Sequence, residues 1–314
     1  MWARRFHFKS QISDSQWAAP ICAVIVMVSS LASAQPPSST QPADTTLVPV
    51  PQHMQKDIPA LRTRAELDAI LGKGQIQQPS RELHVVLLAG PKDHGPGEHD
   101  YPAWQRAWHR LLSQAPKTRV TTAWEKPTEA DLQSADVLVI FKHRSWPSEL
   151  NESMEKFLGR GGGIVLFHFA VDCNQNADAG RHLGLYWGPG AKFRHGWLDL
   201  QFKAKGEDLL GGLAGRTFRF HDESYWRLTG VPEEIDVWAT AIEDDGDGRQ
   251  AAVPLLWNRQ VGKGRVHVNI LGHYNWTFND PLFRVIALRG IAWAAGEPID
   301  RFSPVVTTDV SWKE

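Results

Sequence analysis

Seven of the thirteen histidines in this 314-residue chain, His94, His99, His143, His168, His195, His221 and His273, fall in loops, most of them just after an apolar run that reads as a strand. Neutral imidazole ligates metals, and the imidazole pair of protonation states straddles neutral pH, so such a set suits either proton transfer or coordination. Asp93, Asp100, Asp172, Asp222 and Glu223 accompany them. In open α/β sheets ligands bind outside the carboxyl ends of the strands, so polar residues placed there repeatedly are expected to face one crevice.

The Gly/Pro-rich loop Gly90 to Pro102 carries Asp93-His94 and His99-Asp100. Two histidines and three carboxylates are more than a solvated loop needs for folding, although Asp side chains also bond their own backbone in turns. His168 ends the run Gly163 to Phe167, where it is either a core histidine bonded to a carbonyl or a working group at the rim of the sheet. His221-Asp222-Glu223 gives an imidazole and two carboxylates in sequence; in an extended segment His221 and Glu223 share a face. The plainer reading ties them to Arg219 or Arg227 in a salt-bridged turn. His195 and His273 follow the same logic, and His143, beside Arg144, is expected to bind solvent or an anion. Of fourteen tryptophans, Trp187 and Trp276 are the expected stacking faces for a ligand ring, whereas Trp146, Trp197 and Trp226 suit the core, where an indole N–H finds a partner.

The elements that must position these groups alternate. Leu83 to Ala89 reads as a strand, Ala103 to Gln114 as a helix, Arg119 to Trp124 and Asp136 to Phe141 as strands, Pro147 to Leu158 as a helix, and Gly163 to Phe167 as a strand. Runs of Val, Ile and Leu without polar alternation suit strands covered on both faces, so a doubly wound parallel sheet is expected. After Arg194 the pattern becomes β-rich: 197–202, 217–220, 236–242, 253–257 and 265–271, with Val261-Gly262-Lys263-Gly264-Arg265 as a hairpin turn. Pro281 to Ala295 reads as a closing helix, with 301–314 a C-terminal tail. Asp244-Asp245-Gly246-Asp247-Gly248 lacks the remainder of a calcium loop and reads as a solvated turn.

Arg4, Arg5 and Lys9 precede an apolar stretch from Ala18 to Val28 and the small residues Ala32-Ser33-Ala34, the pattern of an export signal cleaved after Ala34. A periplasmic or extracellular location is expected, with no stable membrane insertion after cleavage. Residues 35–59, rich in Pro, Gln, Ser and Thr, read as a mobile tether, and a short helix is expected within Ala60 to Leu71. The formal charge of −1 offers no basic patch for nucleic acid. Cleavage leaves Cys173 as the single cysteine, which excludes an internal disulfide.

His94 to Pro102, Gly161-Gly162-Gly163-Ile164-Val165-Leu166-Phe167-His168, Phe193-Arg194-His195, His221-Asp222-Glu223-Ser224-Tyr225 and Gly262-Lys263-Gly264-Arg265 leading to Leu271-Gly272-His273 together resemble the trehalose-utilisation (ThuA-like) family over roughly Leu83 to Pro298. The resemblance implies a class I glutamine amidotransferase-like, flavodoxin-like fold over residues 81–300 and a role in disaccharide or glycoside catabolism, where members are associated with sugars oxidised at C3. Amidotransferases of this fold carry a nucleophilic cysteine at a sharp strand-to-helix turn. Here His168 holds the equivalent place and Cys173 falls five residues later, so glutamine amidotransfer is not expected.

The leading expectation is an exported enzyme acting on a small sugar. His168 with His94 performs acid/base chemistry, typically worth ~10²–10⁴ in rate. His221 and Glu223 assist or bind metal, while Asp93, His99, His195, His273, Trp276 and Trp187 bind substrate. The proton chemistry suits a 3-keto sugar, whose C–H bonds beside the ketone are acidic. A sugar-binding module without catalysis, or a metal-dependent hydrolase, fits the same residues. A divalent metal is compatible with the donor types, but no His-Glu-x-x-His is present and the spacing selects no ion.

Overall fold

The computed structural model describes residues 46–72, 79, 81–206, 210–244 and 247–313; the expected signal over 1–34, and Asp245 and Gly246 of the acidic turn, lie outside them. Five strands, β1 (Leu83–Ala89), β2 (Thr118–Trp124), β3 (Val137–Phe141), β4 (Gly163–Phe167) and β11 (Gly264–Asn269), run parallel in the order β2-β1-β3-β4-β11. This is the flavodoxin-like order, with its switch point between β1 and β3. Every residue of β1, β3 and β4 is buried, as strands covered on both sides require, whereas β2 lies at the edge and is mostly in contact with solvent.

The helices are α1 (Arg64–Leu71), α2 (Tyr101–Leu112), α3 (Glu129–Ser134), α4 (Asn151–Gly159), α5 (Ala177–Leu183) and α6 (Pro281–Ala294). Two adjacent glycines record how they cover both faces. A Cβ on Gly162 would fall 2.6 Å from the Phe157 ring of α4, and one on Gly163 would fall 2.3 Å from the Ala294 carbonyl oxygen of α6. Neighbouring residues of an extended chain point to opposite faces, so α4 and α6 approach from opposite sides and leave no room for a side chain at either position.

The sheet does not stop at β11. β10 (Gln250–Val261), β9 (Asp236–Asp244), β6 (Lys192–Phe202) and β7 (Thr217–Trp226) continue it antiparallel, giving nine strands in the order β2-β1-β3-β4-β11-β10-β9-β6-β7. The β-rich C-terminal region is therefore a lateral continuation of the sheet. Its segment 265–271, read as part of that extension, is instead the fifth parallel strand, because pairing of β11 with β4 is a long-range fact that the local hairpin sequence does not reveal. A two-stranded ribbon, β5 (Leu185–Tyr186) with β8 (Thr229–Gly230), lies outside the main sheet.

Two peripheral segments differ from their compositional reading. From Thr46 the supposed tether is docked: Val48 exchanges hydrogen bonds with the Asn279 side chain, Asn275 donates to the Pro49 carbonyl, and Met54 packs on Tyr274 and Trp276. One methionine and one valine find apolar partners that a composition average hides. The tail is held likewise through buried Arg301, Phe302, Val305 and Val306. Among the described residues no helix is long and apolar enough to cross a membrane.

Candidate functional site

The loop after β1 and the loop after β11 are zipped together. His99 N–H donates to the His273 carbonyl at 3.0 Å, Asn275 N–H donates to the Gly97 carbonyl at 2.9 Å, and Glu98 bridges Tyr274. Asp100 then caps α2, its side chain accepting from Ala103 N–H. This pairing carries His99 and His273 to the end of β4, where His168 begins a tight 3-10 turn.

His168 has φ +52° and His99 φ +43°, left-handed conformations that non-glycine residues seldom adopt outside sites that use them. The His168 turn fits because Gly272 (φ +128°) passes beside it; a Cβ there would lie 2.9 Å from the Phe278 ring and 3.5 Å from His168 Cβ. On the other flank Asp222, fully buried in β7, accepts from the backbone N–H groups of Gly272, His273 and Glu223 and from the Thr277 hydroxyl. One carboxylate thus joins the antiparallel strands to the loop carrying His273.

Four side chains converge. His168 Nε2 lies 2.8 Å from His99 Nε2, 3.1 Å from Glu223 Oε2 and 3.3 Å from His273 Nδ1, and His273 Nδ1 lies 2.9 Å from Glu223 Oε2. These donor atoms fall within 4.8 Å of one another and their residues are all buried. The opposite nitrogens of two of the imidazoles face an acceptor, His168 Nδ1 the Ile270 carbonyl at 2.7 Å and His99 Nδ1 Asp93 Oδ1 at 3.0 Å, while His273 Nε2 has Glu98 Oε1 only at 3.6 Å, beyond hydrogen-bond reach. A carbonyl only accepts, so His168 Nδ1 carries the hydrogen; Asp93 is ionised, so His99 Nδ1 does too. Their two Nε2 lone pairs then point at each other. Such acceptor-backed imidazoles are the outer support typical of metal-ligating histidines, and three nitrogens with one carboxylate form a donor set for zinc or a similar divalent ion.

Electrostatics agree with this tautomer pattern. Burial and the neighbouring histidines push His99 down to about 3 despite its bond to Asp93, so the ring is neutral and its lone pair available. Burial opposes ionisation of Glu223, but the adjacent imidazoles of His168 and His273 outweigh it and hold the carboxyl well below the usual range. Asp93 is likewise desolvated yet held far below its ordinary value by His143, His99 and His94. Bonds to Asp172 (2.6 Å) and Asp93 (3.4 Å) raise His143 to about 9, making it a charged clamp on Asp93.

A cavity of about 290 Å³ opens over the cluster, bounded by Phe169, Trp187, Phe193 and Tyr225 on the aromatic side and by His94, His195 and Glu98 on the polar side. Tyr225 OH lies 2.9 Å from His168 Nε2 and 3.2 Å from Glu223 Oε2, and burial raises its pKa. His195 stands at the mouth, Nδ1 3.1 Å from Tyr274 OH and Nε2 3.6 Å from Glu223 Oε1.

The expected site residues thus divide. His99, His168, Glu223 and His273 meet around one point, with Asp93 behind His99, His195 beside Glu223 at the mouth and Trp187 on the wall. His94 lies tilted against the His99 ring with centroids 3.7 Å apart, meets His273 edge-on and bonds Asp93, while His168 Nε2 instead faces His99, Glu223, His273 and Tyr225. His221 shares the strand face of Glu223, but its ring packs against Trp197, Tyr274 and Trp276, and the structure does not bring it into the four-residue cluster. Trp276 is 5% exposed, stacked under Tyr274 with its indole N–H on the His221 carbonyl, so no face is free for a sugar. His143 binds two carboxylates, where solvent or an anion was expected. Cys173 is buried, its thiol pushed up to about 12 by burial and Asp172, and is no nucleophile.

Sequence reasoning passed over Tyr225, Tyr101, Phe169 and Phe193. Tyr225 sits two residues beyond Glu223 and Phe193 two before His195, so strand alternation was the available signal for both, while Phe169 follows His168 in the 3-10 turn. Tyr101, next to His99, donates to Asp93 Oδ2 at 3.2 Å.

A profile of the ThuA family, described as trehalose utilisation, matches residues 86–294. Among solved structures, a ThuA-like protein from Parabacteroides merdae is 22% identical with a TM-score of 0.57, the match covering 69% of this chain and 92% of that one. One from Bacteroides uniformis is 15% identical with a TM-score of 0.54, covering 74% and 100%. At these identities the likeness speaks for the fold. Comparison with curated proteins returns no match.

Proposed function

Because this chain belongs to the ThuA trehalose-utilisation family, we propose that it acts on a sugar at a divalent-cation centre held by His99, His168, Glu223 and His273. The observation that carries the reading is the approach of His99 Nε2 to His168 Nε2 at 2.8 Å with both Nδ1 atoms committed as donors. Two lone pairs at that distance repel unless a cation or proton lies between them, and an N3O cluster with outer acceptors suits a cation.

When bound, such an ion supplies Lewis acidity toward a substrate oxygen. The chain's own groups do the rest. Phe169, Trp187 and Phe193 offer apolar faces to a sugar ring and exclude water on that side, while Glu98, His94 and His195 offer hydrogen-bond partners for hydroxyls. His195, exposed at the mouth and close to Glu223, is placed to hand a proton to or take one from the ring bound there. Tyr225, kept protonated by burial, donates toward Glu223. The export signal read in residues 1–34 makes the substrate one met outside the cytoplasm.

The test is to incubate the purified protein with 3-keto disaccharides and with their unoxidised parents, with and without a chelator, and to follow products by chromatography. Turnover that stops on chelation and returns with added zinc or another divalent ion is expected. Full turnover in chelator would reject the cation centre, and neither turnover nor binding of any sugar would reject the carbohydrate reading.

A further inference from the structure

The strand pair β6 and β7 presents a ladder whose rungs on one face are Phe193 with Tyr225, His195 with Glu223, and Trp197 with His221. The first two rungs line the cavity over the histidine cluster. The third is the next step on the same face, about 6.8 Å farther along the strand at ~3.4 Å per residue.

Trp197 is 46% exposed, as edge-strand Trp124 is at 51%, whereas Trp238 and Trp257 in the neighbouring strands β9 and β10 are fully buried. An indole left in water on a sheet face adjoining a ligand cavity is informative because large aromatics bury when nothing else claims them. Its edge contacts the His221 ring and Arg219 lies over it at 5.1 Å. Beside it runs a second depression of about 180 Å³ walled by Arg194, Asp199, Arg219 and Ile242. These groups combine an apolar ring, guanidinium donors and a carboxylate acceptor, a set matched to a pyranose, which has an apolar face and a belt of hydroxyls. His221 packs its ring on Trp197 from the paired strand, and its buried Nδ1 has no hydrogen-bond partner among the described residues.

The size of the main cavity argues the same way. At about 290 Å³ it holds roughly ten waters at ~30 Å³ each, the space of one hexose ring rather than two. A larger sugar seated there must leave by the mouth at His195, and the ladder leads it to Trp197.

We propose that Trp197, with His221 and Arg219, forms a second sugar subsite, so that the ligand is a disaccharide or longer glycan with one ring over the histidine cluster and the next on Trp197. This rests on the carbohydrate reading of the main cavity. It also gives His221, which lies outside the four-residue cluster, a part in binding.

The experiment measures binding of trehalose, maltose, cellobiose and lactose against glucose and galactose by calorimetry, using the wild-type protein, Trp197→Ala and Trp197→Phe. At least one disaccharide is expected to bind more tightly than its monosaccharides. Trp197→Ala should weaken that disaccharide by about three- to tenfold, the range of a lost aromatic contact, with monosaccharide binding unchanged, and Trp197→Phe should recover most of the loss. Disaccharide binding untouched by Trp197→Ala overturns the subsite while leaving the carbohydrate reading standing. An equal loss for both sugar sizes also overturns it, as an effect on the main cavity. Binding of no sugar by the wild-type protein, with the 3-keto forms of the same disaccharides included, overturns the carbohydrate reading and the subsite together.

Discussion

The two halves of the sheet contribute to the site in different ways. From the parallel half come His99, His168 and His273, all on loops or turns beyond strand ends, two of them on left-handed backbone. From the antiparallel half come Glu223, Tyr225 and His195, all within regular strands, held by ladder hydrogen bonds and by alternation. Loops at the carboxyl edge can vary in shape and can aim imidazoles at a point. A strand face offers a fixed row with two-residue spacing, suited to one anchoring carboxylate and to a surface along which a ligand extends. The difference suggests a division of labour, with reactive nitrogens from the parallel half and a measured platform from the antiparallel half.

The sharpest break in that comparison is removal of a loop ligand. His168→Ala takes one nitrogen from the centre and should lower turnover of the sugar by at least ~100-fold, with a fold retained by circular dichroism. Turnover within threefold of wild type would place the chemistry elsewhere. The link between halves is tested by Asp222→Ala, which leaves buried N–H groups of Gly272 and His273 without an acceptor; a loss of about 3 kcal/mol in denaturant unfolding is expected. A loss under ~0.5 kcal/mol would mean the halves are joined by something other than this carboxylate.

Asp93→Asn sharpens the view of the loop half by keeping shape while removing the charge behind His99. Cation affinity should fall by about 10- to 100-fold, and unchanged affinity would deny Asp93 that part. The smallest effect concerns His143. Its pKa of about 9 in the folded chain exceeds the ~6.5 of an unfolded histidine, so its stabilisation is complete below pH ~6.5 and is lost as pH rises through 9. Because the side chain is 30% exposed, the change is modest. Urea unfolding at pH 6, 7.5 and 9 should show a decline in wild type that is weaker in His143→Gln; identical slopes would remove the charged clamp.

The same contrast explains what the sequence made legible. Strand-end histidines stand out because an imidazole after Gly163 to Phe167 or after Leu271-Gly272 interrupts an apolar run, and His168 at its turn needed no knowledge of distant contacts. His267, also buried and pushed down to about 3 by burial, lies inside β11 and bonds Asn258, so position alone separated it from the loop set. Strand-face residues were less legible, since alternation gives two candidate faces and only pairing selects one; Tyr225 was therefore passed over, Trp197 was assigned to the core although it is 46% exposed, and His221 was expected in a cluster that its ring does not join. Trp276 failed for a related reason, because which side of an indole meets Tyr274 is a packing outcome. The place of β11 beside β4 and the docking of residues 46–58 depend on partners more than 90 residues away in sequence, and no local pattern encodes them. The flavodoxin-like order of the parallel strands, by contrast, agrees with the alternation of apolar runs and helices and with the ThuA resemblance.

Metal analysis of the purified chain, paired with X-ray absorption at the edge of whatever ion is found, bears most directly on the centre. About one divalent ion per chain with a nitrogen-rich shell containing one carboxylate is expected, falling to a small fraction in both His168→Ala and His99→Ala. A wild-type chain that neither carries nor takes up an ion, or one whose ion survives both substitutions, would contradict it.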